Sequence, residues 1–196
     1  MSTSAEFDPT TILPDALLQR IRARAAQVDH DNVFPHEDLD DLRAAGYLAL
    51  FAPAEFGGSG LSLHGVSLLQ QRLATAAPAT ALAINMHLIW TGVAMHLHAR
   101  GISEFDFILH GAVRGEIFAF GISEAGNDLV LGGSDTVASA QADGSYSFTG
   151  MKIFTTLAPV WTQLGLHGLD ASDPTAPKLV YAFVPRSEVD AGRVVI

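Results

Sequence analysis

Apolar side chains recur every three or four residues through the first half of the chain, which is the spacing of amphipathic helices. Proline in a first turn and serine just before one mark helix starts. The pattern predicts helices at residues 14–29, 35–45, 63–73, 78–100 and 104–110. Between the second and third helices it predicts an extended piece over residues 47–52 and a turn-rich loop over residues 53–60.

The helical spacing ends near residues 111–116, and short β-prone runs separated by turn residues follow. These runs predict strands at residues 117–121, 136–141, 145–148, 151–155, 161–169 and 179–184, and the start of another at residues 194–196. The dipeptide Asp143-Gly144 is typical of a β-hairpin turn. We therefore expect an α+β multidomain fold: a flexible tail (residues 1–12), an all-α N-terminal domain (13–114) and an incomplete antiparallel β-barrel or sandwich domain (115–196).

Composition and charge exclude several classes of protein. Hydrophobic residues make up 48% of the chain and charged residues 16%, a balance that excludes disorder over most of the length. The formal net charge of −10 leaves no basic surface for nucleic acid. Because the chain has no cysteine, disulfide frameworks and thiolate metal sites are excluded as well.

The sequence predicts neither a membrane span nor an export signal. The longest apolar stretch, residues 78–99, is interrupted by polar side chains at Asn85, His87, Thr91, His96 and His98. This stretch therefore predicts a core helix rather than a membrane span. No lysine or arginine precedes the first apolar block, so the N-terminus does not resemble a signal peptide. We expect a cytoplasmic protein.

Motifs for metal binding and for common enzyme folds are missing from the sequence. His96 and His98 are two positions apart on a predicted helix, so their side chains point in different directions. We expect no metal site. The sequence also has no G-x-S-x-G, dinucleotide-binding or P-loop motif, so a serine hydrolase and a common nucleotide fold gain no support.

The candidate chemistry lies in residues 117–156. Glycines allow backbone N–H groups to approach an anion closely, and serines add small hydroxyl donors. These residues are Gly126, Gly132, Gly133, Ser123 and Ser134. Phe154 and Thr156 share one side of a predicted strand, where an aromatic plane beside a hydroxyl suits an isoalloxazine ring. The alternative is a glycine-rich loop that only joins two strands.

Three ordered motifs extend this interpretation. They are AGYLALFAPAEFGGSGLS at residues 45–62, FGISEAGNDLVLGGSD at 120–135 and TGMKIFTT at 149–156. Together they resemble the N-terminal and middle portions of the acyl-CoA dehydrogenase family, from Leu13 to Ile196. The resemblance implies FAD as cofactor and α,β-dehydrogenation of an acyl-CoA thioester in fatty acid metabolism. It also implies an electron acceptor such as an electron-transfer flavoprotein, and a homo-oligomer.

The resemblance also assigns roles to individual residues. Ile122 and Ser123 would meet the pyrimidine edge of FAD, and Gly133 and Ser134 would lie near its pyrophosphate. Ser134 would also contact the pantetheine arm of the substrate. The remaining expected cofactor-binding residues, which line the flavin ring, are Phe120, Phe154, Thr155 and Thr156.

Some features depart from the family pattern. The stretch 123–135 is five residues longer than the corresponding family motif, and Ala125 replaces the usual proline. In the family, a later helical bundle supplies the catalytic base, and residues 1–196 contain no such bundle. We therefore assign no catalytic residue, do not give that role to Glu124, and expect this chain alone to be inactive. Two alternatives remain open: a flavin-dependent monooxygenase of the same fold, or a non-catalytic interaction module.

Overall fold

The computed structural model describes residues 7–129 and 131–196, and the chain divides into two compact units, residues 1–117 and 118–196. The first unit is helical and the second contains a β-sheet, which confirms the α+β fold class. Residues 1–6 of the predicted flexible tail lie outside the described residues. Within the rest of that tail, Pro9–Thr11 form a short 3₁₀ helix, which the Asp8 carboxylate caps by accepting from the Thr10 amide at 2.9 Å.

The helices of the first unit follow the predicted spacing. They are α1 (Asp15–Asp31), α2 (His36–Ala44), α3 (Leu63–Ala74), α4 (Pro78–His98) and α5 (Asp106–Val113). The Ser62 hydroxyl caps α3 by accepting from the Gly65 amide at 3.3 Å. The extended piece predicted over residues 47–52 is wrong, because Tyr47–Ala49 form a 3₁₀ turn after Gly46, whose φ is +75°.

The core of the helical unit forms where the apolar faces of its helices meet. Fully buried side chains come from each helix, including Ile21, Leu42, Leu69, Leu73, Ile84, Ile108 and Leu109. Polar groups inside this core are paired. The Tyr47 hydroxyl donates to Gln70 Oε1 at 2.9 Å, and the Thr80 hydroxyl donates to the buried Asp38 carboxylate at 2.7 Å. The spacing of apolar residues therefore decides which helix faces are buried.

The second unit is a five-stranded sheet. Its strands are β1 (Phe118–Gly121), β2 (Val137–Ala140), β3 (Tyr146–Thr149), β4 (Gln163–Asp170) and β5 (Lys178–Pro185). Strands β2 and β3 form the predicted hairpin, and Gly144 in its turn has a φ of +86°. Strand β5 pairs antiparallel with β4 along its whole length, whereas β1 and β2 pair with β4 in parallel.

Three details of the predicted sheet are wrong. The sheet is mixed rather than antiparallel throughout, because the long connections from β1 and β2 to β4 allow parallel pairing. Residues 151–155 are not a strand, because Phe154 has a φ of +55°. Residues 194–196 do not form a strand either, and the short helix α6 (Ser187–Asp190) precedes them.

Candidate functional site

Two segments of the sheet unit lie side by side just after β1. The Ile153 amide donates to the Ser123 carbonyl oxygen at 2.9 Å. Two residues further along, the Thr155 hydroxyl oxygen lies 3.3 Å from the position that a Cβ on Gly121 would occupy. One segment thus advances while the other goes back, which is an antiparallel arrangement. The motifs FGIS and KIFTT, which are distant in sequence, are thereby neighbours.

Phe154 projects from this pair of segments. The residue is 85% exposed, and its φ of +55° lies in the left-handed region that is uncommon for an aromatic residue. The Thr156 amide donates back to the Phe154 carbonyl at 2.8 Å, so the two residues are joined by a tight turn. An exposed aromatic ring on a strained backbone is a feature of binding sites.

Two residues with hydroxyl side chains, Ser123 and Thr156, belong to the same two segments as Phe154. Within residues 7–129 and 131–196, neither the Ser123 nor the Thr156 hydroxyl has a hydrogen-bond partner, and both residues are partly exposed. The Ile122 side chain is buried, while Phe120 is half-buried in β1. Two hydroxyls and one aromatic plane are therefore available to a ligand.

The loop that follows is organised by Glu124. Donor atoms of the described residues make six hydrogen bonds to its carboxylate, at 2.6–2.9 Å. The donors are the side chains of Lys152, Ser134, Thr136 and Asn127 and the backbone amides of Asp135 and Thr136. Sequence reasoning missed this cluster, because the partners are scattered along the chain and no spacing motif unites them.

The chemistry of Glu124 follows from this environment. Burial raises the pKa of its carboxyl, but the hydrogen bonds from the ammonium, hydroxyl and backbone donors lower it more, and the pKa lies well below its ordinary value. Such a carboxylate stays ionised and has no free lone pair directed at a ligand. It is therefore badly suited to act as a general base.

Gly133 and Ser134 are engaged with the protein itself. A Cβ on Gly133 would lie 2.9 Å from Leu129 Cδ1, so the Leu129 side chain packs where this glycine faces. The Ser134 hydroxyl donates to Glu124 Oε1 at 2.8 Å and lies 3.2 Å from Lys152 Nζ. A cofactor or substrate would reach the Ser134 hydroxyl only if these bonds were given up.

The residues at the flavin-ring end fit a flavin better than those at the pyrophosphate end. Ser123, Phe154 and Thr156 offer free hydroxyls and an exposed aromatic plane, which match the polar edge and the flat face of an isoalloxazine ring. Gly133 and Ser134 offer no comparable free group. The cofactor roles of all these residues stay predictions.

The helical unit contains a separate cavity of about 660 Å³ between α3 and α4. Its lining is mostly apolar and includes Phe51, Val66, Leu88, Ile89, Val93 and Leu97. At its polar edge the Gln70 side-chain amide donates to Asn85 Oδ1 at 3.2 Å. The sequence pattern did not indicate this cavity, because helical spacing marks apolar faces but not a gap between two of them.

Two kinds of feature are absent from the described residues. No helix among them combines the length and hydropathy needed to cross a membrane. In the same residues, no group of three histidine, aspartate or glutamate side chains is placed to hold a metal ion.

The sequence and the fold of this chain are similar to those of known proteins. Residues 15–101 match the family model "Acyl-CoA dehydrogenase, N-terminal domain". A Bacillus subtilis protein described as an acyl-CoA dehydrogenase is 33% identical over 135 residues, which are 68% of this chain and 35% of that protein. The amino sugar nitrososynthase of Streptomyces rubradiris is 32% identical over 160 residues, with coverage of 76% and 36%.

A solved structure shows that the fold of this chain is also similar to that of a known protein. KijD3 in complex with FMN and a dTDP-linked amino keto sugar has a TM-score of 0.76 and 28% sequence identity, and the match covers 94% of this chain and 46% of KijD3. The chain spans about a third of the length of the two curated relatives, at 35% and 36%. In agreement with its three motifs, the chain belongs to the acyl-CoA dehydrogenase fold family.

Proposed function

We propose that the sheet unit binds a flavin ring against Phe154, Ser123 and Thr156, and that the protein is a flavin-dependent oxidoreductase. The observation that carries this proposal is the exposed, strained Phe154, together with the unpartnered hydroxyls of Ser123 and Thr156 on the same two paired segments. The KijD3 complex, which contains FMN, supports a flavin in this fold. We propose FAD as the cofactor because of the family resemblance.

Each residue would have a distinct task in this site. A bound flavin supplies an electron sink, or in its reduced form a means of activating oxygen. Phe154 would pack against the ring and exclude water from it, while Ser123 and Thr156 would donate hydrogen bonds to its polar edge. Ile122, which is already buried, would hold the Ser123 backbone in place. Phe120 and Thr155 would complete the wall.

The first candidate reaction is α,β-dehydrogenation of an acyl-CoA thioester, with an electron-transfer flavoprotein as acceptor and a homo-oligomeric assembly. The Bacillus subtilis relative and the three motifs support it. The cavity between α3 and α4 suits an apolar acyl group, because its volume of about 660 Å³ is lined mainly by aliphatic side chains. We assign no general base among the described residues.

The second candidate is monooxygenation, and a specific observation favours it. The Ser134 hydroxyl, which the family resemblance assigns to the pantetheine arm, is bound to Glu124 and Lys152. A site without that contact has less reason to select a CoA thioester. The nitrososynthase relative, moreover, matches 76% of this chain at 32% identity.

One experiment separates the two reactions in the full-length gene product. Flavin bleaching under anaerobic conditions on addition of an acyl-CoA would support dehydrogenation. Oxygen uptake that requires a reduced-flavin supply, without bleaching by acyl-CoA, would support monooxygenation. A protein that binds neither FAD nor FMN would contradict both reactions and favour the interaction module.

A pair of substitutions tests the site itself. We expect Ser123→Ala and Thr156→Ala each to weaken flavin binding by about 0.5–3 kcal/mol, because each removes one hydrogen bond to the ring. Flavin affinity and visible spectra measure the effect. Ser139→Ala on the exposed side of β2 is the control and should change neither. Wild-type affinity and spectra in both site variants would mean that the cofactor does not bind here.

A further inference from the structure

A buried ion pair joins the two segments of the proposed flavin site. Lys152 Nζ lies 2.7 Å from Glu124 Oε1, and the two side chains are 9% and 3% exposed. Glu124 directly follows Ser123, and Lys152 directly precedes Ile153. The ion pair therefore stands next to the backbone hydrogen bond from Ile153 to Ser123, and the two contacts together fix the spacing of the segments.

The same carboxylate closes the loop that follows. Glu124 Oε2 accepts from the Asp135 amide at 2.7 Å, and Oε1 accepts from the Thr136 amide at 2.9 Å. The beginning and the end of this loop are thus held by one side chain. The loop is longer than the family motif, and closing a longer loop costs more conformational entropy. The Glu124 carboxylate offsets this cost because it holds the two ends of the loop together.

Lys152 connects the second segment to the sheet. An ammonium group has three N–H donors, and each has an acceptor here. Besides Glu124, Lys152 Nζ lies 3.2 Å from the Ser134 hydroxyl and 3.2 Å from Nδ1 of His167, a fully buried residue of β4. Lys152 therefore fixes the position of the segment that carries Phe154 relative to β4, the central strand of the sheet.

Phe154 depends on this connection more than a core residue would. Its side chain is largely exposed, so packing does not fix the ring. The backbone on either side has to do so, and Lys152 is the nearest anchored side chain before it.

We infer that Lys152 and Glu124 are positioning residues for the flavin ring: their ion pair holds the Ser123 segment and the Phe154 segment at the separation that a flavin requires. This inference rests on the proposed flavin site. It concerns residues that touch neither the ring nor a substrate, and act through Ser123 and Phe154.

The test replaces Lys152 by methionine, which keeps the length of the side chain and removes its charge. Glu124 keeps its five other donors, so the loop retains most of its bonds. We expect flavin affinity to fall at least tenfold and the visible absorption of the bound flavin to shift. In the flavin-free protein, hydrogen exchange of the Ile153 amide should accelerate at least tenfold, while Lys152→Arg should restore part of both properties.

Arg193→Met is the matched control. Arg193 forms an exposed ion pair with Glu188 in the same unit, so the same kind of change is made away from the site. We expect it to leave flavin affinity, spectrum and Ile153 exchange at wild-type values. Should Lys152→Met fail to fold, Lys152→Gln takes its place; because its amide can still donate to Glu124, we expect losses of flavin affinity and of Ile153 protection in the same direction but smaller.

The outcomes separate this inference from the proposed function. If the wild-type protein binds flavin and Lys152→Met binds it equally well with an unchanged spectrum, the positioning role is wrong and the flavin site stands. If the wild-type protein binds no flavin, the proposed function is wrong. Unchanged exchange at Ile153 would overturn the positioning role whether or not flavin binds.

Discussion

At the residue scale, both units bury ionisable side chains, but they hold them in opposite ways. His87 in α4 has no exposed surface, and its Nε2 donates to the Leu48 carbonyl at 2.8 Å. Burial lowers the pKa of His87 to about 4, despite the opposing effect of that hydrogen bond, so the ring stays neutral. Glu124 in the sheet unit stays ionised because donors surround it. The fold therefore favours the neutral form of His87 and the ionised form of Glu124.

His87 therefore makes stability depend on pH. Its folded pKa is depressed, so the unfolded chain binds a proton first as pH falls below about 6.5. The contribution of neutral His87 to the free energy of unfolding is complete above that pH and is lost on acidification. Between about pH 7 and pH 5 we expect the free energy of unfolding to fall by about 2 kcal/mol from this group. Urea denaturation of wild type and His87→Gln measures it, and the variant should lack this part of the slope.

The control for His87 is a histidine in the opposite environment. His64 in α3 is exposed, and among the described residues its side chain has no hydrogen-bond or ion-pair partner, so His64→Gln should leave the pH dependence of stability unchanged. The same pH slope in His87→Gln and in wild type would contradict the role given to burial. The range stops near pH 5 so that protonation of Glu124 does not contribute.

The sequence predicts which residues could form the candidate site better than it predicts the contacts between them. Motifs predict Ser123, Phe154 and Thr156 as site residues, because short patterns record which side chains follow one another, and this assignment stays a prediction. The cluster around Glu124 was not found, since its partners come from three separate stretches of chain. Removing one member of such a buried ion pair typically costs about 3–5 kcal/mol. Contacts of this kind become visible only in the fold.

At the element scale, helices were easier to predict than strands. The spacing of apolar residues fixed α1 to α5 within a few residues, because helical hydrogen bonds are local. Strand partners are not local, so the parallel pairing of β1 and β2 with β4 could not be read from spacing. The strand expected at residues 151–155 had suitable composition, but the left-handed Phe154 ends any regular ladder there.

Gly150, between β3 and the Lys152 segment, gives a test at this scale. A Cβ at this position would lie 2.4 Å from Thr136 Oγ1 and 2.8 Å from Thr136 Cα. Both atoms would have to move, and the Thr136 hydroxyl donates to Glu124 at 2.6 Å. We expect Gly150→Ala to lower the free energy of unfolding of the sheet unit by about 1–3 kcal/mol, as overpacking does. Chemical denaturation followed by circular dichroism measures it.

Gly132→Ala is the control for this close approach. The nearest atom to a Cβ at Gly132 is the Leu129 carbonyl oxygen at 3.5 Å, an ordinary contact. We expect that variant to change stability by no more than about 0.5 kcal/mol. Equal stabilities for the two variants would show that β3 and the start of β2 separate easily, and that Gly150 does not set their distance.

At the scale of the whole molecule, the charge balance affects any charged ligand. The chain carries 21 acidic and 11 basic side chains, for a formal net charge of −10. Its long-range field repels anions, and both FAD and CoA thioesters are anions. A neutral flavin such as riboflavin does not experience this repulsion. Ionic strength therefore separates the long-range field of the protein from the local contacts of the ring.

We expect FAD affinity to rise several-fold between about 10 mM and 150 mM salt, because the Debye length shortens from about 30 Å to about 8 Å. Riboflavin, which carries the same ring without the pyrophosphate, should bind with nearly constant affinity over this range. Titrations of this 196-residue chain, which carries the net charge of −10, followed by flavin fluorescence, give both values. If FAD affinity instead falls as salt is added, cations near the pyrophosphate outweigh the net charge, and a local phosphate site must exist. Because Gly133 and Ser134 are engaged with Leu129 and Glu124, we expect no such site there.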